Sequence, residues 1–256
     1  MWTGLALLAT ASPPLTWWID AIFATIFLLW FVQWNVLHSD SGLGKSRFGS
    51  LVILVLLLVA LSGSELLHRR MPVIRGVRSN HLVIVGDSIS AGVGRVATPW
   101  PVLFQQQVDV QARNLSQPGA GVGEATAMAS SVTSQDSVVL IEIGGNDLLA
   151  GVSSTEFSRN LDRLLSRLAV PGRTLVMFEL PLLPNKIGYG RAQRHLSIRY
   201  GVFLIPKHYL TNVLGGPDAT TDGLHLSDMG ARRMASLVEH ALCDVLVCKE
   251  NGLRHS

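Results

Sequence analysis

The spacing of apolar and polar positions divides the chain near residue 80. Two long apolar runs lie upstream. Residues 15–37 carry charged or amide side chains only at Asp20, Gln33 and Asn35, with Trp17, Trp18, Trp30 and Trp34 toward the two ends. Residues 48–67 are charged only at Glu65. Each run matches the roughly 20 residues a bilayer requires, and the tryptophan placement suits membrane interfaces, so both are expected to be transmembrane helices. Downstream, the period switches between strand and helix. Residues 82–85, closed by Gly86, read as a short buried strand. A helix is expected over 100–108, opened by Pro101, then a strand over 110–115 and an alanine-rich helix over 122–132. Residues 137–143 (SVVLIEI) form a continuous β-rich run of the kind buried on both faces. Ser153 and Glu156 suggest a capping box for a helix ending at Leu168, with Phe157, Leu161, Leu164, Leu165 and Leu168 on one face. A strand over 174–180, a helix over 189–200, a short strand over 202–205 and a last helix from Ser227 to about Val247 complete the pattern. Strands interleaved with helices predict an α/β domain whose mostly parallel sheet is covered on both faces.

Charge reinforces the division. Charged residues make up 15% of the 256 residues, and mean hydropathy is +0.35. Residues 1–80 hold six Lys/Arg against three Asp/Glu, whereas 81–256 hold fifteen of each, so the net +3 belongs to the apolar end. A neutral downstream domain without a basic stripe speaks against nucleic acid as a partner. The expected organisation is a membrane anchor (1–67), a basic linker (68–80), a catalytic domain (81–248) and a short tail (249–256). The linker reaches roughly 40 Å at about 3.3 Å per residue, which keeps the domain near the membrane. Basic residues do not orient the helices. Lys45 and Arg47 favour a cytoplasmic loop between them, while Arg69, Arg70, Arg75 and Arg78 favour a cytoplasmic domain. Integral membrane localisation is therefore expected, with the side of the catalytic domain open. Cys243 and Cys248 are too few for a disulfide framework or a four-ligand zinc site and read as ordinary thiols.

Candidate chemistry gathers where strands end. Asp87-Ser88-Ile89-Ser90 follows the first strand, so Ser88 projects from the carboxyl edge of the sheet, where open α/β folds place their sites. Asp222-Gly223-Leu224-His225 puts an Asp three residues before a His on one loop, a spacing that lets the carboxylate fix the imidazole tautomer. Such a histidine can serve as base for a serine nucleophile. Asn114-Leu115-Ser116-Gln117-Pro118-Gly119 follows one strand and Gly144-Gly145-Asn146-Asp147 another. A backbone N–H and an Asn amide are suitable donors for a tetrahedral oxyanion. Alone, the first two stretches read equally well as a polar turn and a helix cap, while the last two read more readily as loop turns in which Asn146 or Asp147 caps a helix.

Taken in order, the four stretches resemble the SGNH, or GDSL, hydrolase family. Gly86-Asp87-Ser88-Ile89-Ser90 is similar to its nucleophile block, Gly119 to its oxyanion glycine, Gly144-Gly145-Asn146-Asp147 to its third block, and Asp222-Gly223-Leu224-His225 to its last. The resemblance covers about residues 81–245, and VVLIEIGGND looks most like the thioesterase/lysophospholipase branch. It implies a three-layer α/β/α sandwich of the SGNH, flavodoxin-like kind. It further implies that Ser88 attacks an ester carbonyl, that His225 moves the proton, and that Asp222 orients His225. The N–H groups of Ser88 and Gly119 and the side chain of Asn146 would form the oxyanion hole. No metal or organic cofactor is implied. The two N-terminal apolar runs depart from the family's simpler N-terminus and put the compartment in question.

Other readings compete. An α/β-hydrolase elbow needs G-x-S-x-G, but Ser88 sits in G-x-S-x-S. Gly92-Val93-Gly94-Arg95-Val96-Ala97 matches a dinucleotide fingerprint, but lies too far beyond the strand. Gly42-Leu43-Gly44-Lys45-Ser46 resembles the end of a P-loop, yet Ser39 stands where its first glycine belongs. A silent, membrane-anchored binding domain is a further alternative. The expected substrate is a small-molecule or lipid ester, with acetyl esters of cell-envelope carbohydrate as the runner-up. The stretch 181–190, which follows a strand end, is one candidate to overhang the site and meet an acyl chain. An inward-packed loop is the other reading.

Overall fold

A computed structural model describes residues 65, 68–93, 98–108, 110–182 and 186–247. The chain separates into two compact units, Met1–His68 and Arg69–Ser256. The apolar runs expected to cross a membrane, Glu65 aside, and the loop around Lys45 lie outside the described residues, as do Gly94–Ala97 of the glycine-rich stretch, Cys248 and the tail. Among the described residues no helix is long and apolar enough to cross a membrane.

The second unit is built on five parallel strands in the order β2-β1-β3-β4-β5. They are β1 (His81–Gly86), β2 (Gln111–Asn114), β3 (Val138–Glu142), β4 (Thr174–Phe178) and β5 (Phe203–Ile205). Between and after them run α1 (Ser88–Ala91), α2 (Trp100–Gln107), α3 (Val122–Met128), α4 (Gly145–Leu149), α5 (Ser154–Leu168), α6 (Ile187–Tyr200), α7 (Lys207–Leu214) and α8 (Asp228–Leu242). Central strands β1, β3 and β4 are apolar on both faces because helices cover both. Leu82, Ile84, Val138 and Leu140 pack with Trp100, Phe104, Leu210, Met234 and Val238 of α2, α7 and α8. The alternate residues Val83, Val85, Val139 and Ile141 pack with Val122, Phe157, Leu164 and Leu196 of α3, α5 and α6. This is the three-layer α/β/α sandwich. Edge strand β2 has one helix-covered neighbour and is mostly exposed.

Helix α5 shows how sequence becomes packing. Ser153 Oγ accepts the Glu156 N–H at 3.2 Å, which satisfies one orphan donor of the first turn. The five apolar residues expected on one face are all buried, each stabilising by about 1.5–3 kcal/mol relative to exposure.

Several boundaries differ from expectation. The helix over 122–132 is α at Val122–Met128 and then tightens to a 3₁₀ turn over Ala129–Ser131. Helix α8 stops at Leu242 instead of Val247, because the chain turns back to pair with residue 79: Ser79 N–H donates to Val245 O and Val247 N–H to Ser79 O, both at 3.0 Å. Part of the basic stretch 68–80 is thereby tied to the domain, and Ile74 is buried in its core. The stretch 181–190 takes the inward-packed arrangement where it is described. Leu182 packs against the core, and residues 187–190 begin α6. Tyr189 is buried, stacked on Phe157 at 4.4 Å, with its hydroxyl donating to Asp147 O at 3.1 Å. Cys243 is partly buried, and its thiol donates to His240 O at 3.5 Å.

Candidate active site

The chain leaves β1 for β2 on one side and then crosses to β3 on the other. The carboxyl ends of β1 and β3 therefore flank the topological switch point, where open α/β sheets leave a crevice for ligands. Four loops meet there, and polar contacts tie three of them together.

Asp87 follows β1 directly. Its Oδ1 accepts the Ile89 N–H at 3.0 Å and so caps α1, whose first residue is Ser88. The short helix closes at Gly92, at φ 77°, whose N–H returns to Ser88 O at 3.1 Å. The second block is held against α1 by Asn114, which donates through Nδ2 to Ser90 O at 2.8 Å and accepts the Ser116 N–H at 3.1 Å. Gly119 sits in the left-handed region at φ 76°, and a Cβ there would meet nothing within 4 Å. Among the described residues, neither the Ser88 N–H nor the Gly119 N–H is committed to a hydrogen bond. Asn146, in the first turn of α4, donates through Nδ2 to Ala120 O at 3.0 Å and to Asp87 Oδ2 at 3.3 Å. Its amide thus lies between the Gly119 loop and the turn that carries Ser88.

The fourth loop is a closed turn. Asp222 Oδ1 accepts the N–H groups of Leu224 (3.0 Å) and His225 (2.8 Å), while Oδ2 meets His225 Nδ1 at 2.6 Å. These bonds, led by the His225 N–H, hold the Asp222 carboxyl well below the usual carboxylate range. Gly223, at φ 87°, allows the reversal. Thr221 N–H donates to His225 O at 2.9 Å and closes the loop at its base. No hydrogen bond joins Ser88 Oγ to His225 among the described residues, but the imidazole lies close enough to Asp87 for its charge to favour the ionised carboxylate.

The site also contains residues whose roles are not legible in the motifs. Burial pushes the Asp87 carboxyl up to about 6, against its bond from Ile89 and the charge of His225. Glu142, the last residue of β3, is 2% exposed. Burial first, and then the charge of Asp87, raise its carboxyl well above the ordinary range. Asp147 Oδ2 accepts the Val122 N–H at 2.9 Å and fixes the start of α3. The available signal for Glu142 was a lone acid inside a continuous apolar strand, which costs too much to bury without a partner.

A parallel α/β sheet with a serine just beyond its first strand, an amide beyond its third and a His–Asp pair on the last loop defines a class, the hydrolases that work through a serine. Comparison narrows that class. Residues 84–233 match the GDSL-like Lipase/Acylhydrolase family, and the chain belongs to that family. It is a serine ester hydrolase. The chain is 30% identical to an arylesterase of Vibrio mimicus over 57% of its own length and 80% of the relative's. It is 27% identical to thioesterase 1/protease 1/lysophospholipase L1 of Escherichia coli K12, over 65% of this chain and 88% of that protein. The crystal structure of TesA superposes with a TM-score of 0.58 at 26% identity, covering 65% of this chain and 99% of that one.

Proposed function

We propose that this chain is a membrane-tethered esterase in which Ser88 is the nucleophile, His225 its base, and Asp222 the residue that orients His225. The observation that carries the reading is the Asp222–His225 pair. One carboxylate binds both the backbone and the ring of the same histidine at 2.8 and 2.6 Å, which fixes the proton on Nδ1 and leaves Nε2 as the acceptor. Ser88 Oγ attacks the ester carbonyl while its proton passes to Nε2. The oxyanion is received by the N–H groups of Ser88 and Gly119 and by Asn146 Nδ2, which exchanges its resting bond to Ala120 O for the substrate oxygen. Collapse expels the alcohol or thiol with the proton from His225. A water activated by the same nitrogen then releases the acid and regenerates Ser88.

The relatives named for aryl esters, thioesters and lysophospholipids support an acyl ester or thioester with an apolar acyl part as substrate. The apolar runs over 15–37 and 48–67 support a tether that presents the enzyme to lipid. Hydrolysis of p-nitrophenyl esters from acetate to palmitate by the detergent-solubilised full chain tests the chemistry. Wild type is expected to turn over medium and long acyl chains and to take a fluorophosphonate label on Ser88, and Ser88→Ala is expected to do neither. Activity confined to acetate would shift the reading to acetyl esters of carbohydrate. A Ser88→Ala protein as active as wild type would end it. Alkaline carbonate extraction tests the tether, which is abandoned if the full chain is released from membranes.

A further inference from the structure

Beneath the turn that carries Ser88 lies a buried acid with no part in the proton relay. Glu142 ends β3 in register with Gly86, and its backbone O accepts the Asp87 N–H at 3.2 Å. Its side chain runs under α1, where Ser90 Oγ donates to Oε2 at 2.8 Å. Ser90 itself is fully buried, and its carbonyl is held by Asn114 Nδ2 at 2.8 Å. There is no slack around this contact. A Cβ on Gly86 would come within 2.8 Å of Glu142 O and 2.9 Å of Ser90 Cβ. Helix α1 has only four residues, too few to hold its own geometry without outside contacts. Its position therefore depends on outside contacts, and besides the Asn114 amide on Ser90 O two of them are carboxyl groups: Asp87 at its N-terminus and Glu142 through Ser90.

The two carboxyls are neighbours in a dry site, and two such groups resist carrying two charges at once. The other charges that act on the pair come from His225, which favours ionised Asp87, and from Asp147, which opposes it. Asp87 has the hydrogen bonds suited to an anion: the Ile89 N–H on one oxygen and the Asn146 amide on the other. Glu142 is the more deeply enclosed of the two, and its side chain accepts the Ser90 hydroxyl at 2.8 Å; the Asp87 N–H, already bonded to the Glu142 backbone O, is a weaker influence on it.

We propose that Glu142 is a positioning residue for Ser88, acting through Ser90 as the neutral acid while Asp87 carries the pair's single negative charge. The inference rests on the reading of Ser88 as nucleophile. In this arrangement a neutral amide can replace the acid, because what α1 needs from Glu142 is a hydrogen-bonding oxygen at the right place and no charge.

The test uses the full chain in detergent, with fluorophosphonate labelling of Ser88 as the readout, since labelling reports the nucleophile's alignment without the choice of substrate. At a temperature well below every variant's Tm, Glu142→Gln is expected to label within about threefold of wild type, and Glu142→Ala and Ser90→Ala to slow by about ten- to a hundredfold, as small misplacements of reacting atoms do. The infrared difference between wild type and Glu142→Gln at pH 7 should contain the carbonyl stretch of a neutral carboxylic acid. Three results overturn the proposal: Glu142→Gln as slow as Glu142→Ala, a folded Ser90→Ala that labels at the wild-type rate, or no neutral-acid band. If Glu142→Ala does not fold, Ser90→Ala and Glu142→Gln decide the matter. Failure of wild type to label at Ser88 would instead strike the underlying reading, while the infrared band still reports on Glu142.

Discussion

Asp222 binds His225 twice, through Oδ1 to the backbone N–H at 2.8 Å and through Oδ2 to ring Nδ1 at 2.6 Å. A residue three positions away thus sets both the path of the loop and the tautomer of its histidine. The pair sits on a surface loop, with the Asp222 side chain half exposed, so its geometry comes from local hydrogen bonds and owes little to packing.

That arrangement separates catalysis from stability. Asp222→Asn keeps the turn's volume and one acceptor but reverses the polarity offered to Nδ1. By analogy with triads in which the same change favours the wrong tautomer, kcat should fall by about a thousand- to ten-thousandfold. The melting temperature should scarcely move. Because Asp222 stays ionised far into acid, loss of its carboxylate should not be what limits wild-type activity as the pH falls. Ester hydrolysis across pH, with calorimetry on both proteins, checks this; a modest loss of kcat in Asp222→Asn would refute the orienting role.

Asn146 offers a second separation. At rest its amide is engaged by Ala120 O and Asp87 Oδ2, which hold it in place between the two loops; on the proposed reading the bond to Ala120 O yields to the substrate oxygen. Removing one donor of this kind typically costs roughly a hundred- to a thousandfold in kcat, with little change in KM. Asn146→Ala should follow that pattern. Asn146→Asp should be worse, because it sets a second carboxylate beside Asp87. Steady-state kinetics on one p-nitrophenyl ester suffices, and a change confined to KM would remove Asn146 from the oxyanion site.

Much of this site is legible along the chain because three of its four blocks follow a strand that the pattern predicts, while the fourth, Asp222–His225, lies beyond α7 and is read from its own spacing. The run 138–142 is wholly buried, as its unbroken apolar character requires. The apolar face of α5 follows the helical period residue by residue. What escapes is either short or non-local. Helices α1 and α4, of four and five residues, contain little more than one turn and cannot display a period. Helix α7 has eight residues and only Leu210 and Val213 buried. Ser90 and Glu142 meet across 52 positions, a distance no spacing rule covers. The end of α8 is set by residue 79, far upstream, while the apolar pattern at Val245 and Leu246 runs on as if the helix continued.

Two glycines, one closing the second block and one opening the third, differ in what surrounds them. Gly119 and Gly144 both adopt positive φ, 76° and 112°, but a Cβ on Gly119 meets empty space, whereas one on Gly144 falls 2.9 Å from Phe157 Cε2 and 3.0 Å from Leu180 Cδ1. Gly119→Ala should therefore cost only backbone strain, about 1–2 kcal/mol, or a few degrees in Tm. Its activity loss should exceed that, because the N–H it carries is displaced. Gly144→Ala adds an overpacking cost of about 1–3 kcal/mol against the core and should be the less stable protein. Thermal melts of the two variants side by side are the check, and equal Tm values would contradict the packing argument.

The last prediction concerns acid and stability. Asp87 is 3% exposed, and burial lifts its carboxyl to about 6, against an ordinary value of about 3.9. The folded protein therefore holds this proton more tightly than the unfolded chain does. The resulting stabilisation is fully present below pH about 4, is lost between about 4 and 6, and stays lost above. At roughly 1.4 kcal/mol per pH unit, the loss amounts to about 3 kcal/mol. Asp87→Asn keeps a capping oxygen for the Ile89 N–H and has no charge to desolvate. Its stability relative to wild type should therefore improve by about that amount between pH 4 and pH 7, on top of any constant offset from altered packing. Removing the charge also eases the burial of Glu142, which acts in the same direction. Parallel melts of wild type and Asp87→Asn at pH 4, 5, 6 and 7 measure the difference directly. Curves that run parallel throughout would mean that Asp87 titrates like an exposed carboxylate, and would take with it the single shared charge assigned to the pair.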